Sequence, residues 1–285
     1  MTTKSQLTMV LDIDSTLIGD VITDGKVGHE QMVDNFGEAF AQAYSFSIQG
    51  YLFPMYVGAP EMLRLLWRNG VKLAFFSSGS EQRNHLLVPA LLQHVFGQET
   101  KQVQQHIAIY SRHHCIDTDK LSESDEEAIQ PEFSDIYHGW LKKDLRVIQP
   151  DPIQLRNTAL MDDGVSYMHR GQEKNFLYVN GDYGHIMRRE HVQLERGKEP
   201  DMLDDNCCCF YHIFYGYAVF QRAVQLMQQE SDLYLDDALY RVQVQQENSS
   251  FDERFYYPGK KRFATYQEGL QALQADNPQL DFVRP

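Results

Sequence analysis

The sequence predicts an α/β fold in which a Rossmann-like parallel sheet carries helices on both faces and is followed by a helical C-terminal region. One observation is a set of short, unbroken apolar runs, which are typical of parallel strands buried on both faces. A second is that helical patterns separate these runs, as in α/β proteins. The runs are LTMVLD, VKLAFFS, HIAIYS, TALMD and FLYVN.

Two crossover helices are expected on either side of the second run. In APEMLRLLWRNG, Pro60 suits a helix start and Gly70 a helix stop. In SSGSEQRNHLLVPALLQHVFG, Ser80 is the predicted N-cap. The inward faces are predicted to be Met62, Leu65 and Leu66 in the first helix, and Leu86, Leu87, Ala90 and Leu91 in the second.

The later part of the chain changes character. Residues 117–135 are acidic, polar and without periodicity, which predicts a surface loop. Beyond about residue 195 the pattern is helical, with one stripe that contains Ile213, Tyr217, Phe220, Val224 and Met227. We therefore divide the chain into a core over residues 1–195, with an acidic insertion near 117–135, and a helical extension over residues 196–285.

Composition limits the classes of partner. With 40 acidic against 26 basic residues and a net charge of -14, the chain is not expected to bind nucleic acid. The start of the chain does not have the pattern of a secretory signal, and no apolar run is long enough for a transmembrane segment. The expected location is the cytoplasm, a reducing compartment, although delivery to another cell by a non-Sec route is compatible with the same sequence.

The cysteines suggest two alternative properties, membrane association through acylation and zinc binding. Cys207, Cys208 and Cys209 are consecutive and offer no spaced disulfide framework. Their acylation, next to aromatic residues, is an alternative that would give peripheral membrane association. The segment RHHC, which ends at Cys115, could supply zinc ligands, but no spaced second pair accompanies it.

Acidic and hydroxyl residues follow three of the predicted strands. Asp12 and Asp14 come after the first, Ser77 after the second, and Asp162 and Asp163 end the fourth. Ligands of open α/β sheets bind outside the carboxyl ends of the strands, so these side chains are expected to meet there. Clustered carboxylates repel one another unless a cation neutralises them, and oxygen-only ligation is what Mg²⁺ prefers. The sequence therefore predicts a magnesium site.

Four segments resemble, in order, the motifs of the haloacid dehalogenase (HAD) superfamily, whose members are aspartate-nucleophile phosphohydrolases with a Rossmann-like sheet. DIDST resembles the first motif, FFSSGS the second, WLKKDL the third and ALMDDGVSY the fourth. The resemblance implies that residues 1–195 are a HAD-like phosphatase core. Only about 40 residues separate the first motif from the first crossover helix, which implies a small or absent cap.

Residues 5–170 are most similar to one branch, the C-terminal-domain (NLI-interacting-factor-like) protein phosphatases. FPMYVGAPEMLRLLWRNGVKLAFFSSGSEQRNHLL, YSRHHC and WLKKDL are similar to segments of that branch. The chain departs from it where VGAP replaces an R-P-G turn, where the acidic insertion is extra, and where Gly164 follows the acidic pair in place of Ser or Pro.

The residue types indicate separate catalytic roles. Asp12 is the predicted nucleophile, because a carboxylate is ionised at neutral pH and can form an aspartyl-phosphate once a cation offsets the repulsion between anions. Asp14, two residues on, is the predicted general acid and base. Ser77 and Lys143 are expected to stabilise the phosphoryl oxygens, with Lys142 as an alternative to Lys143.

The remaining site residues are predicted as ligands of the cation or the substrate. Asp163 is favoured as a direct Mg²⁺ ligand, with Asp162 as an outer or alternate ligand. Asp12 and the backbone carbonyl of Asp14 complete the metal set. Thr16, Ser78 and Gly79 are the predicted substrate-binding residues.

The substrate class follows from the small cap. An uncapped site admits a phosphorylated side chain of a protein, so we expect a phosphoprotein phosphatase acting on phosphotyrosine or on phosphoserine and phosphothreonine. One alternative is a small-molecule phosphatase in which the C-terminal helices act as the lid. Another is a non-catalytic phosphate-binding adaptor, although a binder has no need of a proton donor such as Asp14.

Overall fold

The computed structural model describes residues 6–117, 141–179, 212–245 and 263–280. Its strands are β1 (Thr8–Leu11), β2 (Ser45–Ile48), β3 (Tyr51–Pro54), β4 (Lys72–Phe76), β5 (Ala108–Tyr110), β6 (Ile116–Asp117), β7 (Leu141–Lys142), β8 (Thr158–Asp162) and β9 (Phe176–Tyr178). Five of them form the central sheet in the order β5-β4-β1-β8-β9. All neighbours in this sheet are parallel. The five apolar runs supply these five strands, which confirms the predicted fold class.

The strand order brings the acidic residues together. β1 lies in the middle, with Thr8 in register with Lys72 on one side and Thr158 on the other. From β1 the chain goes to β4 and β5, and it later returns to β8 and β9 on the opposite side of β1. The direction of winding therefore reverses between β1 and β8, and a crevice at their carboxyl ends is the place where such sheets bind ligands.

The helices are α1 (Gly25–Phe36), α2 (Glu38–Ala43), α3 (Ala59–Arg68), α4 (Glu81–Phe96), α5 (Thr100–Gln104), α6 (Pro152–Arg156), α7 (His212–Gln229), α8 (Leu235–Gln245) and α9 (Phe263–Leu273). Helices α3, α4, α7 and α8 contact sheet strands and share one large core with Met9, Leu11, Phe75 and Met161. The opposite face of the sheet, formed by residues such as Val10, packs against Leu145, Ile148 and Met168.

The two predicted crossover helices are α3 and α4. Pro60 lies in the first turn of α3, which ends at Arg68, and the Ser80 side chain caps α4 by accepting a hydrogen bond from the Arg83 N–H at 3.3 Å. The predicted inward position of Leu86 is wrong, because its side chain is 50% exposed. The buried stripe of α4 instead follows Leu87, Val88, Leu91, Leu92 and Val95.

A small unit precedes α3 and was not predicted from the sequence. It consists of α1, α2 and the β2–β3 hairpin, whose two turn residues Gln49 and Gly50 have φ of 52° and 86°. Positive φ at both turn positions is typical of a type I′ hairpin. Antiparallel bridges from Ile18 to Met55 and from Ile22 to Leu52 attach the chain after β1 to this hairpin. The unit therefore lies beside the carboxyl end of β1.

The C-terminal helices complete the main core. The predicted stripe of α7 is confirmed for Ile213, Tyr217, Phe220 and Met227, which are buried, while Val224 is partly buried. Helix α9 packs closely on α7, since a Cβ added to Gly269 would lie 1.8 Å from the Phe214 carbonyl oxygen. Among the described residues, no helix is both long and apolar enough to cross a bilayer.

Several predictions fall outside the described residues. These are the acidic loop beyond Asp117, the domain boundary at residues 195 and 196, and the cysteine triplet.

Candidate active site

The chain turns sharply after β1. The N–H groups of Leu17 and Ile18 both donate to the Ile13 carbonyl, at 2.9 and 3.0 Å, and Ser15 has a φ of 59°. A residue other than glycine in this left-handed region stores strain, which is common at functional sites. The turn separates the two acidic side chains of DIDST. Asp12 is buried, whereas the Asp14 side chain is 34% exposed.

Lys143 lies at the centre of the buried part of the site. Its Nζ donates to Asp12 Oδ1 and to Asp162 Oδ2, both at 2.6 Å, and its side chain is fully buried. The structure thus places Lys143 in the cluster and not Lys142, whose Nζ donates to the Ser166 carbonyl instead. Burial lowers the pKa of Lys142 to about 8.

Three carboxylates cluster in this part of the site, and two of them contact the ammonium of Lys143. Asp12, Asp162 and Asp163 each offer an oxygen, and these oxygens lie within 4.8 Å of one another. Burial raises the pKa of Asp12 to about 7, against the lowering effect of Lys143, and it also raises the pKa of Asp162 and of Asp163. With one lysine against three acidic groups, the fully ionised cluster has an excess of negative charge. A divalent cation with oxygen ligands fits this set of donors.

The two members of the acidic pair are held differently. Asp162 Oδ2 accepts from Lys143, and its Oδ1 accepts from the Gly164 N–H at 2.7 Å. Asp163 contacts Thr16, whose hydroxyl donates to Asp163 Oδ1 at 3.3 Å and accepts from the Asp163 N–H at 3.1 Å. Thr16 is fully buried, so the structure places it against Asp163 and beneath the surface of the site.

The second motif adds hydroxyl and backbone groups at the end of β4. Ser77 Oγ donates to Asp14 Oδ2 at 3.3 Å and accepts from the Gly79 N–H at 2.9 Å. Ser78 Oγ donates to the Tyr167 hydroxyl at 3.2 Å. A side chain at Gly79 would crowd its neighbours, because a Cβ there would lie 2.8 Å from Arg83 Nη1 and 2.9 Å from Asn84 Oδ1.

Arg83 is a site residue that the sequence analysis missed. Its Nη1 donates to Asp14 Oδ2 at 2.9 Å, and its Nη2 pairs with Asp14 Oδ1. Arg83 lies in the first turn of α4, where a cation opposes the helix dipole, but that position does not indicate which anion it pairs with. Arg83 also lines a cleft of about 250 Å³ between α4 and the β2–β3 hairpin, whose wall includes Tyr51 and Leu86.

The alternatives based on sulfur and nitrogen ligands find no support in the described residues. Within them, the only group of three or more potential metal-ligating side chains is the Asp12, Asp162 and Asp163 cluster. Burial raises the pKa of the Cys115 thiol to about 11, which is opposite to what a thiolate nucleophile requires.

Comparisons with known proteins found likenesses among solved structures, and two of these structures are of the same phosphatase. No family model matches the chain, and no curated protein sequence does. A solved structure of the fission yeast RNA polymerase II CTD phosphatase Fcp1, an arginine-to-alanine variant bound to beryllium fluoride, has a TM-score of 0.39 and 15% identity, covering 91% of this chain and 70% of that chain. Another structure of Fcp1, described as an essential RNA polymerase II CTD phosphatase, has a TM-score of 0.36 and 16% identity, covering 97% of this chain and 67% of that one.

Proposed function

We propose that this protein is a Mg²⁺-dependent phosphomonoester hydrolase of the HAD type that acts on phosphoproteins through an aspartyl-phosphate at Asp12. The observation that carries the proposal is the buried cluster in which Lys143 bonds both Asp12 and Asp162, with Asp163 beside them. The order of the four sequence motifs supports the same chemistry. Their strand-end positions converge at the crevice beside β1.

The cation would be held by Asp12, Asp163 and the backbone carbonyl of Asp14, with Asp162 as an outer ligand. Asp162 suits the outer role because each of its oxygens already accepts a hydrogen bond. When bound, Mg²⁺ would neutralise excess negative charge and polarise a phosphoryl oxygen.

In the first half of the reaction, a carboxylate oxygen of Asp12 attacks phosphorus and forms the acyl-phosphate bond. The bond from phosphorus to the leaving oxygen breaks, and Asp14 gives its proton to that oxygen. Ser77 and Lys143 supply hydrogen-bond donors to the oxygens on which charge accumulates. Asp14 must first release at least one contact, because Arg83 pairs with both of its oxygens.

In the second half, water attacks the phosphorus and Asp14 takes the proton of that water. The bond between phosphorus and the Asp12 oxygen breaks, which releases inorganic phosphate. Asp12 returns as a carboxylate and Asp14 is again protonated, so the cycle balances without another reactant.

Open access to Asp14 supports a protein substrate. The Asp14 and Arg83 side chains are 34% and 32% exposed, so the leaving-group side of the site faces solvent. The adjoining cleft is bounded by Tyr51 and Leu86, which are 45% and 50% exposed. A phosphorylated side chain with neighbouring residues can approach from this side.

The alternative in which the C-terminal helices form a lid has less support. Helix α7 is buried from His212 through Phe220 and belongs to the same core as the sheet. It therefore serves as a structural layer, and a truncation near residue 195 would remove part of the core together with any lid.

A phosphopeptide panel tests the proposed function. We expect release of phosphate from phosphopeptides in the presence of Mg²⁺, and loss of that activity in EDTA with recovery when Mg²⁺ is restored. Sugar and nucleotide monophosphates serve as the comparison substrates. Turnover of these small molecules without activity on any phosphopeptide would contradict the assignment to protein substrates.

A further inference from the structure

Asp163 is positioned by Thr16 through both its backbone and its side chain. The Asp163 N–H donates to the Thr16 hydroxyl at 3.1 Å, and that hydroxyl donates to Asp163 Oδ1 at 3.3 Å. Thr16 is fully buried. A displacement of Thr16 would therefore displace Asp163 as well.

The backbone of Thr16 is in turn held by His212, which the sequence analysis did not identify. His212 Nε2 lies 2.7 Å from the Thr16 carbonyl oxygen, and the two residues are 196 positions apart in the chain. A carbonyl oxygen can only accept, so the Nε2 of His212 carries the proton of this hydrogen bond. His212 is the first residue of α7 and is fully buried.

A second contact fixes the next carbonyl of the same loop. The Tyr56 N–H donates to the Leu17 carbonyl at 3.0 Å. The rings of Tyr56 and His212 meet edge to face, with their centroids 4.2 Å apart and an angle of 77° between their planes. Two consecutive carbonyls of the loop after β1 are thus hydrogen-bonded. His212 of α7 binds that of Thr16, and the neighbouring Tyr56, from the segment before α3, binds that of Leu17.

We infer that His212 is a positioning residue for the Mg²⁺ site, acting through Thr16 on Asp163. This inference rests on the proposed function, because it assumes that Asp163 binds the cation. Partners outside the ligand shell orient the ligands, and their loss typically weakens metal affinity or activity by about 10–100-fold. The C-terminal helices accordingly contribute to the site by supporting its loop from within the protein.

Two substitutions distinguish a positioning role for His212, which needs its hydrogen-bond donor, from a role in which its ring only fills the core. A phenylalanine at position 212 keeps an aromatic ring against Tyr56 but leaves the buried Thr16 carbonyl without its donor. A glutamine keeps an N–H at about the position of Nε2. If His212 only fills space, phenylalanine is the better replacement, and if it positions the loop, glutamine is.

Isothermal titration of the 285-residue protein with MgCl₂ tests the inference. We expect His212→Phe to raise the dissociation constant for Mg²⁺ by about 10-fold or more, and His212→Gln to stay within about threefold of wild type. Phe220→Leu is the matched control, because Phe220 is buried on the same helix. Its substitution is expected to lower thermal stability without changing Mg²⁺ affinity.

A double variant identifies the route of the effect. Thr16→Val alone is expected to weaken Mg²⁺ binding, and His212→Phe added to it is expected to have little further effect, since both act through Thr16. Independent, additive losses would overturn the inference. If His212→Phe does not fold, His212→Asn takes its place, because its shorter amide does not reach the Thr16 carbonyl.

The outcomes separate this inference from the proposed function. Wild-type affinity in a folded His212→Phe or His212→Asn protein overturns the inference and leaves the proposed function standing. Absence of Mg²⁺ binding by the wild-type protein overturns both.

Discussion

Asp12→Asn is expected to abolish phosphatase activity, with kcat lowered by at least about 10⁴-fold. An amide oxygen is a poor nucleophile toward phosphorus, and the proposed reaction has no second nucleophile that could replace Asp12. The fold should persist, because asparagine has nearly the same shape and the change removes one of three clustered carboxylates. Steady-state kinetics on a phosphopeptide, together with a thermal melt, provide the measurement.

The control for this variant is an aspartate that has no role in the proposed active site. Asp34 is exposed on α1, and Asp34→Asn is expected to retain wild-type kcat. If a folded Asp12→Asn protein kept more than a small fraction of wild-type turnover, Asp12 could not be the nucleophile.

Lys143→Met is expected to lower both activity and stability. Lys143 is fully buried and bonds two carboxylates at 2.6 Å, so its loss leaves buried negative charge uncompensated. Removing one partner of a buried ion pair typically costs about 3–5 kcal/mol. For a protein of this size, that corresponds to a fall in melting temperature on the order of 10 °C. Thermal melts without Mg²⁺ measure this effect.

Mg²⁺ should restore part of the lost stability, because a cation would offset the same carboxylates. Lys142→Met is the matched control. Lys142 is the adjacent buried lysine, but it donates to the Ser166 carbonyl, and its loss is expected to leave kcat within about threefold of wild type. Equal damage from the two lysine variants would contradict the central position of Lys143.

Local sequence signals were sufficient for the sheet and the buried cluster. Each central strand is a continuous apolar run, and parallel pairing brings Asp12 and Asp162 to the same edge of the sheet. Both features depend on strand ends, which the apolar pattern defines. The preference for Lys143 over Lys142 came instead from the resemblance of WLKKDL to the third motif of the HAD superfamily.

The residues that were missed depend on contacts between distant parts of the chain. Arg83 and Asp14 are 69 positions apart, and His212 and Thr16 are 196 apart. In neither pair does the sequence around one residue indicate which residue it contacts. The β2–β3 hairpin does have a local signal in the aromatic and apolar residues of its strands, but its Gln49-Gly50 turn is not one of the dipeptides typical of a type I′ turn.

The central claim is that Asp12 receives the phosphoryl group covalently. Reaction with a phosphopeptide and Mg²⁺, quenching, and reduction with borohydride would convert an acyl phosphate into an alcohol. Peptide mass spectrometry should then find homoserine in place of aspartate at position 12. Protein treated with borohydride without substrate should contain no homoserine. Rapid release of phosphate with position 12 unaltered and homoserine at another aspartate would contradict the account.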